Sequence, residues 1–112
     1  MSPDDFRALA LALPEATEKQ HGGHPDFRVA NKVFASLRTD GTAAVNLEPG
    51  DQEMVMTVFP AGSAEPAAGT WGARGWTRLM IDALAPGDAA TALEKAWRKT
   101  APARLKNTTT EG

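Results

Sequence analysis

Apolar residues Phe6, Leu9, Ala10 and Leu13 recur at i, i+3, i+4 and i+7, which makes one helical face. The residues before them read as a helix start. Ser2 can accept a bond from a first-turn amide, Pro3 suits the first helical position, and Asp4 and Asp5 complement the positive end of the helix dipole. Pro14 marks the end of this helix. The period then changes to two. Residues 17–22 are polar and predict an edge strand, broken by Gly22-Gly23. Two further strands are predicted over 26–30 and 32–39. Phe27 and Val29 alternate with Arg28, and Val33, Ala35 and Leu37 alternate with Phe34, Ser36 and Arg38. Ala30-Asn31 suits a tight hairpin, because Asn tolerates positive φ, and Asp40-Gly41 is a stronger turn leading into a fourth strand at 43–47.

Met54, Val55, Val58 and Phe59 stripe a second helix predicted over 49–59, stopped by Pro60. Residues 60–69 are rich in Ala, Gly and Pro without periodicity and read as a loop. Residues 70–73 and 76–82 flank Arg74-Gly75 and predict a last hairpin. Pro86-Gly87-Asp88 opens a final helix with Asp88 as its N-cap, and Leu93, Ala96, Trp97 and Thr100 lie along one side of it. Pro102 ends that helix and leaves 103–112 as a frayed tail. The order predicts a single α+β domain over 1–102: a mostly antiparallel sheet of five to six strands, with helices packed on one face.

Composition narrows the chemistry. The 112 residues fit one domain, and the absence of cysteine excludes disulfides, thiolate metal sites and a cysteine nucleophile. The formal net charge of −2 provides no chain-wide basic footprint of the kind a nucleic-acid binder usually carries. No apolar run approaches the ~18 residues of a membrane helix, and residues 1–5 lack the basic start of a signal peptide, so the expected location is the cytoplasm, with no membrane partner.

The segment His24-Pro25-Asp26-Phe27-Arg28-Val29-Ala30-Asn31-Lys32-Val33-Phe34-Ala35 resembles the central signature of the MmcQ/YjbR family: an apolar strand, a turn with a lysine, and an aromatic-plus-alanine strand start. Leu47-Glu48-Pro49 sits where that family leaves a strand for its second helix, and Trp76-Thr77-Arg78-Leu79 is similar to its late tryptophan strand. The resemblance covers nearly the whole chain. It implies a double-wing, frataxin-like fold and a DNA-binding role; with no catalytic constellation in the chain, the expected protein is a non-catalytic binding module without a cofactor. In one departure, Glu48 stands near where family members often carry a lysine.

The candidate contacts to nucleic acid are Arg28, Lys32, Arg38, Arg74 and Arg78 on strands and turns, with Trp71 as a stacking platform. Lys95, Arg98 and Lys99 form a secondary basic patch on the last helix. In the predicted hairpin, Trp71, Ala73, Trp76, Arg78 and Met80 share one side, and Thr77, Leu79 and Ile81 the other. Large aromatics favour the core, so the expectation is that Trp76 and Met80 point inward while Arg78 snorkels out. The opposite orientation would put two tryptophans and an arginine in solvent. Exposed tryptophans would equally suit a protein-interaction or small-ligand module. A third reading places a metal at His21 and His24, with Glu18 or Asp26 as a further ligand. Ser2, Ser36 and Ser63 have no nucleophile-elbow context and no phosphate loop is present, so no enzyme activity is expected.

Overall fold

In the computed structural model, residues 1–110 are described. Helix α1 (Pro3–Leu11) starts as its sequence requires. The Ser2 hydroxyl accepts from the Asp5 amide at 3.1 Å and the Asp5 carboxylate accepts from the Ser2 amide at 3.0 Å, a reciprocal capping box. It ends at Leu11, ahead of Pro14, and buries Phe6 and Ala10.

Six strands follow: β1 (Thr17–His21), β2 (His24–Val29), β3 (Lys32–Leu37), β4 (Ala43–Asn46), β5 (Ala64–Pro66) and β6 (Trp76–Leu79). They form one sheet in the order β1-β2-β3-β4-β6-β5, with every neighbouring pair antiparallel. The β2–β3 turn has Ala30 and Asn31 both at positive φ (50° and 65°), the backbone that a two-residue hairpin loop needs. The fold is therefore α+β, with the remaining helices α2 (Pro49–Val58), α3 (Thr70–Ala73), α4 (Pro86–Thr100) and α5 (Ala103–Thr110).

One sheet face is the core. Phe27, Val29, Ala35, Leu37, Ala43, Val45, Thr77 and Leu79 are buried beneath α1 and α4, which contributes Ala92, Leu93, Ala96 and Trp97. The Trp97 indole N–H donates to the Pro14 carbonyl at 3.0 Å and ties α4 to the end of α1. A β-bulge interrupts the simple alternation predicted for β3. Phe27 pairs with Ala35 but Arg28 with Val33, so Phe34 is the extra residue. Phe34 is fully buried, while Val33 turns to the opposite face.

Several expectations are corrected. The last hairpin does not form. Residues 70–73 make the single turn α3, and β6 pairs instead with β4 on one side and β5 on the other. Arg74-Gly75 is the C-terminal stop of α3, with Arg74 as C-cap and Gly75 following at φ +107°. Strand β5 comes from the segment read as a loop. The inward face of β6 is Thr77 and Leu79, continued by Ile81 in a 3₁₀ turn (Ile81–Ala83), and not Trp76 and Met80. The N-cap of α4 is Ala85, with Pro86 opening the helix and Asp88 within its first turn. The segment read as a frayed tail is helical over Ala103–Thr110. Leu105 is buried and the Arg104 guanidinium makes two 3.1 Å bonds to the Glu15 carboxylate. Residues 111–112 of that tail lie outside the described residues.

Candidate binding site on the open sheet face

With α1 and α4 packed on one side, the other sheet face is left for chemistry. Cross-strand register builds a row along it: Lys19 opposite Asp26, Asp26 opposite Ser36, Ser36 opposite Ala44, Ala44 opposite Arg78, and Arg78 opposite Glu65. Over the middle of this row lies a concave site of about 630 Å³, a volume in the usual range of ligand sites. His24, Asp26, Val33, Ser36, Arg38 and Ala44 line its sheet side, and Ala67, Ala68, Trp71 and Trp76 form its wall.

Three close approaches hold that wall in place. The two tryptophans meet edge to face, with ring centroids 6.3 Å apart at 81°. The Arg74 guanidinium sits 5.8 Å from the centre of the Trp71 ring, a cation–π distance. At Gly72, a Cβ would come within 2.1 Å of the Ala67 carbonyl oxygen, so only glycine lets α3 lie against the wall segment. Beneath, the buried Gln52 side-chain amide of α2 donates to the Gly72 carbonyl (3.1 Å), the Trp76 carbonyl (3.2 Å) and the Thr77 hydroxyl (3.1 Å). Sequence reading missed Gln52, because a polar residue inside an apolar stripe is ordinarily on the solvated side.

The predicted contact residues divide. Arg28, opposite the cavity-lining Val33, and Arg38 lie on the open face, and Trp71 stands at its edge with 58% of its surface exposed. Arg28 approaches the Asp26 carboxylate at 3.7 Å, and its Nε is buried without an acceptor. Among the described residues Arg38 enters no ion pair. Lys32 is exposed at the β2–β3 turn. Arg78 is engaged at 2.7 Å by Glu65 and at 3.5 Å by Asp40, so it is committed to acids on its own sheet.

Each cation of the secondary patch meets a partner on the protein itself. Lys95 faces Asp51 at 3.9 Å and Arg98 faces Glu94 at 3.6 Å. The Lys99 ammonium donates to Asn46 Oδ1 (2.8 Å), the Leu47 carbonyl (2.8 Å) and the Arg74 carbonyl (2.9 Å). Its three protons are thereby spent on joining α4 to the end of β4 and to α3. Lys99→Met keeps the aliphatic stem and removes all three bonds. It is expected to cost roughly 1.5–3 kcal/mol, the range for a hydrogen bond to a charged group, read as a lower urea midpoint. An unchanged midpoint would show that these bonds form equally well to water.

The metal reading gains no support. The His21 side chain lies outside what is described, and among the described residues no group of three or more His, Asp or Glu side chains is placed to hold an ion. His24 instead faces Asp26, Nδ1 to carboxylate, at 3.6 Å.

Asp40 sits beside the site. Its carboxyl is held below the usual carboxylate range first by the Thr42 hydroxyl (2.6 Å), then by the Thr42 amide (3.0 Å), with Arg78 adding to the effect. A depressed carboxylate contributes stability that is present above its unfolded value, about pH 4, and is lost as pH falls through its folded value. Glu15, held down by Arg104, and Asp5, held down by Ser2, act in the same direction. The expected result is that Thr42→Val moves Asp40 back up toward pH 4 in a carbon-detected NMR titration. An unmoved titration would remove the Thr42 hydroxyl as the cause and leave the amide.

Fold and site together define a class: a small α+β domain with α1 and α4 packed on one face of an antiparallel sheet and an aromatic-walled concave site on the other. Residues 11–99 match the family described as YjbR, and the chain belongs to that family. No curated protein matches the chain. No helix among the described residues is long and apolar enough to cross a membrane.

Proposed function

We propose that the protein is a non-catalytic binding module that takes single-stranded nucleic acid on its open sheet face. The observation that carries this reading is the concave site walled by Trp71 and Trp76, with Trp71 largely exposed. Every base has a π-face, so a tryptophan platform on a sheet is a general means of holding unpaired bases. Arg74 beside Trp71 and Arg38 at the sheet side place cations where a backbone phosphate would pass.

Fluorescence-anisotropy titration of labelled single- and double-stranded oligonucleotides tests it, at low and near-physiological salt. The expected result is salt-sensitive binding of the single strand, tighter than of the duplex. No binding of either at micromolar protein would overturn the reading.

A second reading, a small planar ligand with no nucleic-acid role, is favoured by one observation. Arg28 and Arg78 are occupied by acids, and the chain is net negative, so few cations remain to follow a phosphate backbone. Binding of free nucleotides or other flat small molecules without binding of any oligonucleotide would select it.

A further inference from the structure

We propose that the open-face site selects a guanine base, with Asp26 as the group that reads it; this rests on the single-strand reading above and names the chemistry of the same site. Asp26 is only 7% exposed, yet it lines the cavity. Its two basic neighbours stand at ion-pair distance but beyond hydrogen-bond reach: His24 Nδ1 lies at 3.6 Å and Arg28 at 3.7 Å. Among the described residues no side chain or amide makes a side-chain hydrogen bond to this carboxylate. The carboxylate oxygens are not among the buried atoms that lack a partner, so they open into the cavity, where a ligand that brings N–H donors can reach them.

A carboxylate presents two acceptor oxygens side by side, so its best partner offers two donors side by side. Among the common bases only guanine does so, through N1–H and the exocyclic N2 amino group. Adenine and cytosine set one amino group beside an acceptor nitrogen, which would face a carboxylate lone pair. Thymine sets one N–H between two carbonyls. Guanine also carries the O6 acceptor next to its N1–H, and Arg38, which lines the same cavity and enters no ion pair among the described residues, carries donors for it. Trp71 and Trp76 supply the flat apolar surface for the ring.

The test uses short labelled oligothymidylates with one central dG, dA, dC or deoxyinosine, titrated against the intact protein and Asp26→Asn, with guanosine 5′-monophosphate as competitor. Hypoxanthine, the base of deoxyinosine, is guanine without its N2 amino group. The expected result is a preference of about tenfold for dG over dA and dC, as for one bidentate base contact. Most of that preference is expected to be lost with deoxyinosine, and all of it in Asp26→Asn, while the all-thymine strand binds both proteins alike. If Asp26→Asn fails to fold, the dG-against-deoxyinosine comparison on the unaltered protein still decides. Equal binding of all central bases, or a dG preference that Asp26→Asn retains, would overturn guanine selection and leave the single-strand reading standing. Direct binding of guanosine 5′-monophosphate, followed by the tryptophan fluorescence of the protein, with no oligonucleotide bound would support guanine selection and overturn the single-strand reading. Binding of neither would overturn both.

Discussion

Trp71→Ala is expected to weaken single-strand binding by roughly 5- to 150-fold, the equivalent of about 1–3 kcal/mol for one stacked base. Folding should be nearly untouched, because the side chain is more than half exposed and its main neighbours are Trp76 and the Arg74 guanidinium. The pair of readouts matters. A loss of binding with an unchanged unfolding midpoint assigns the effect to the platform, whereas a lowered midpoint would mean that Trp71 props the wall. Unchanged affinity would remove stacking on Trp71 as a source of binding. Trp97, buried in α4 on the far side of the sheet, is the internal contrast, since it touches no part of the site.

Gly75→Ala is expected to damage stability more than any of the other substitutions, costing more than about 4 kcal/mol, a large share of the 5–15 kcal/mol that holds a domain of this size. Two independent causes coincide. The residue has φ +107°, which a side chain strains, and a Cβ there would stand 1.7 Å from the Leu47 carbonyl oxygen. The clash is with backbone, and the same crossing carries the 3.0 Å bond from the Leu47 amide to the Gly75 carbonyl and the Lys99 bond to the Leu47 carbonyl. The chain cannot give way without releasing both, so the tryptophan wall should be lost with the fold. Gly87→Ala is the matched control. Nothing lies within 4 Å of its would-be Cβ and its φ is ordinary, so stability should hold or rise by up to about 1 kcal/mol. Equal denaturation midpoints for the two variants would contradict the role given to this corner.

The same corner separates what was legible in the sequence from what was not. The first helix, the four strands of residues 17–47 and the helices opening at Pro49 and Pro86 announce themselves through period, turn residues and prolines, because each is specified by its own local sequence. Residues 60–82 do not. Strand β5 has three residues, too few to show a period, and it is a strand only because β6 lies beside it. Gly75 reads equally well as a hairpin turn or as the glycine after a helix. The choice between them is made by Leu47, 28 positions earlier in the chain, which a local reading does not weigh.

The site was half legible for the same reason. Trp71, Arg28 and Arg38 were marked by their chemistry, and they do share the open face. Arg78 and Lys99 carry the same signal but are consumed by Glu65 and by backbone carbonyls, partners that only folding brings near. Asp26 was hidden in the opposite sense. A charge in an alternating strand reads as solvated surface, whereas Asp26 is buried beside His24 and Arg28 and lines the cavity. The period-two run His24, Asp26, Arg28 did carry a clue, since it sets an acid between two basic groups on one face.

Ligand binding on the open sheet face is the central claim, and NMR titration with a short single-stranded oligonucleotide tests it most directly. The chain has three tryptophans and therefore three indole N–H signals. Those of Trp71 and Trp76 are expected to shift on titration, together with the amides of Asp26, Ser36, Arg38 and Ala44, while that of Trp97 stays in place. Shifts confined to α2 or α4, with the signals of Trp71 and Trp76 unmoved, would contradict it.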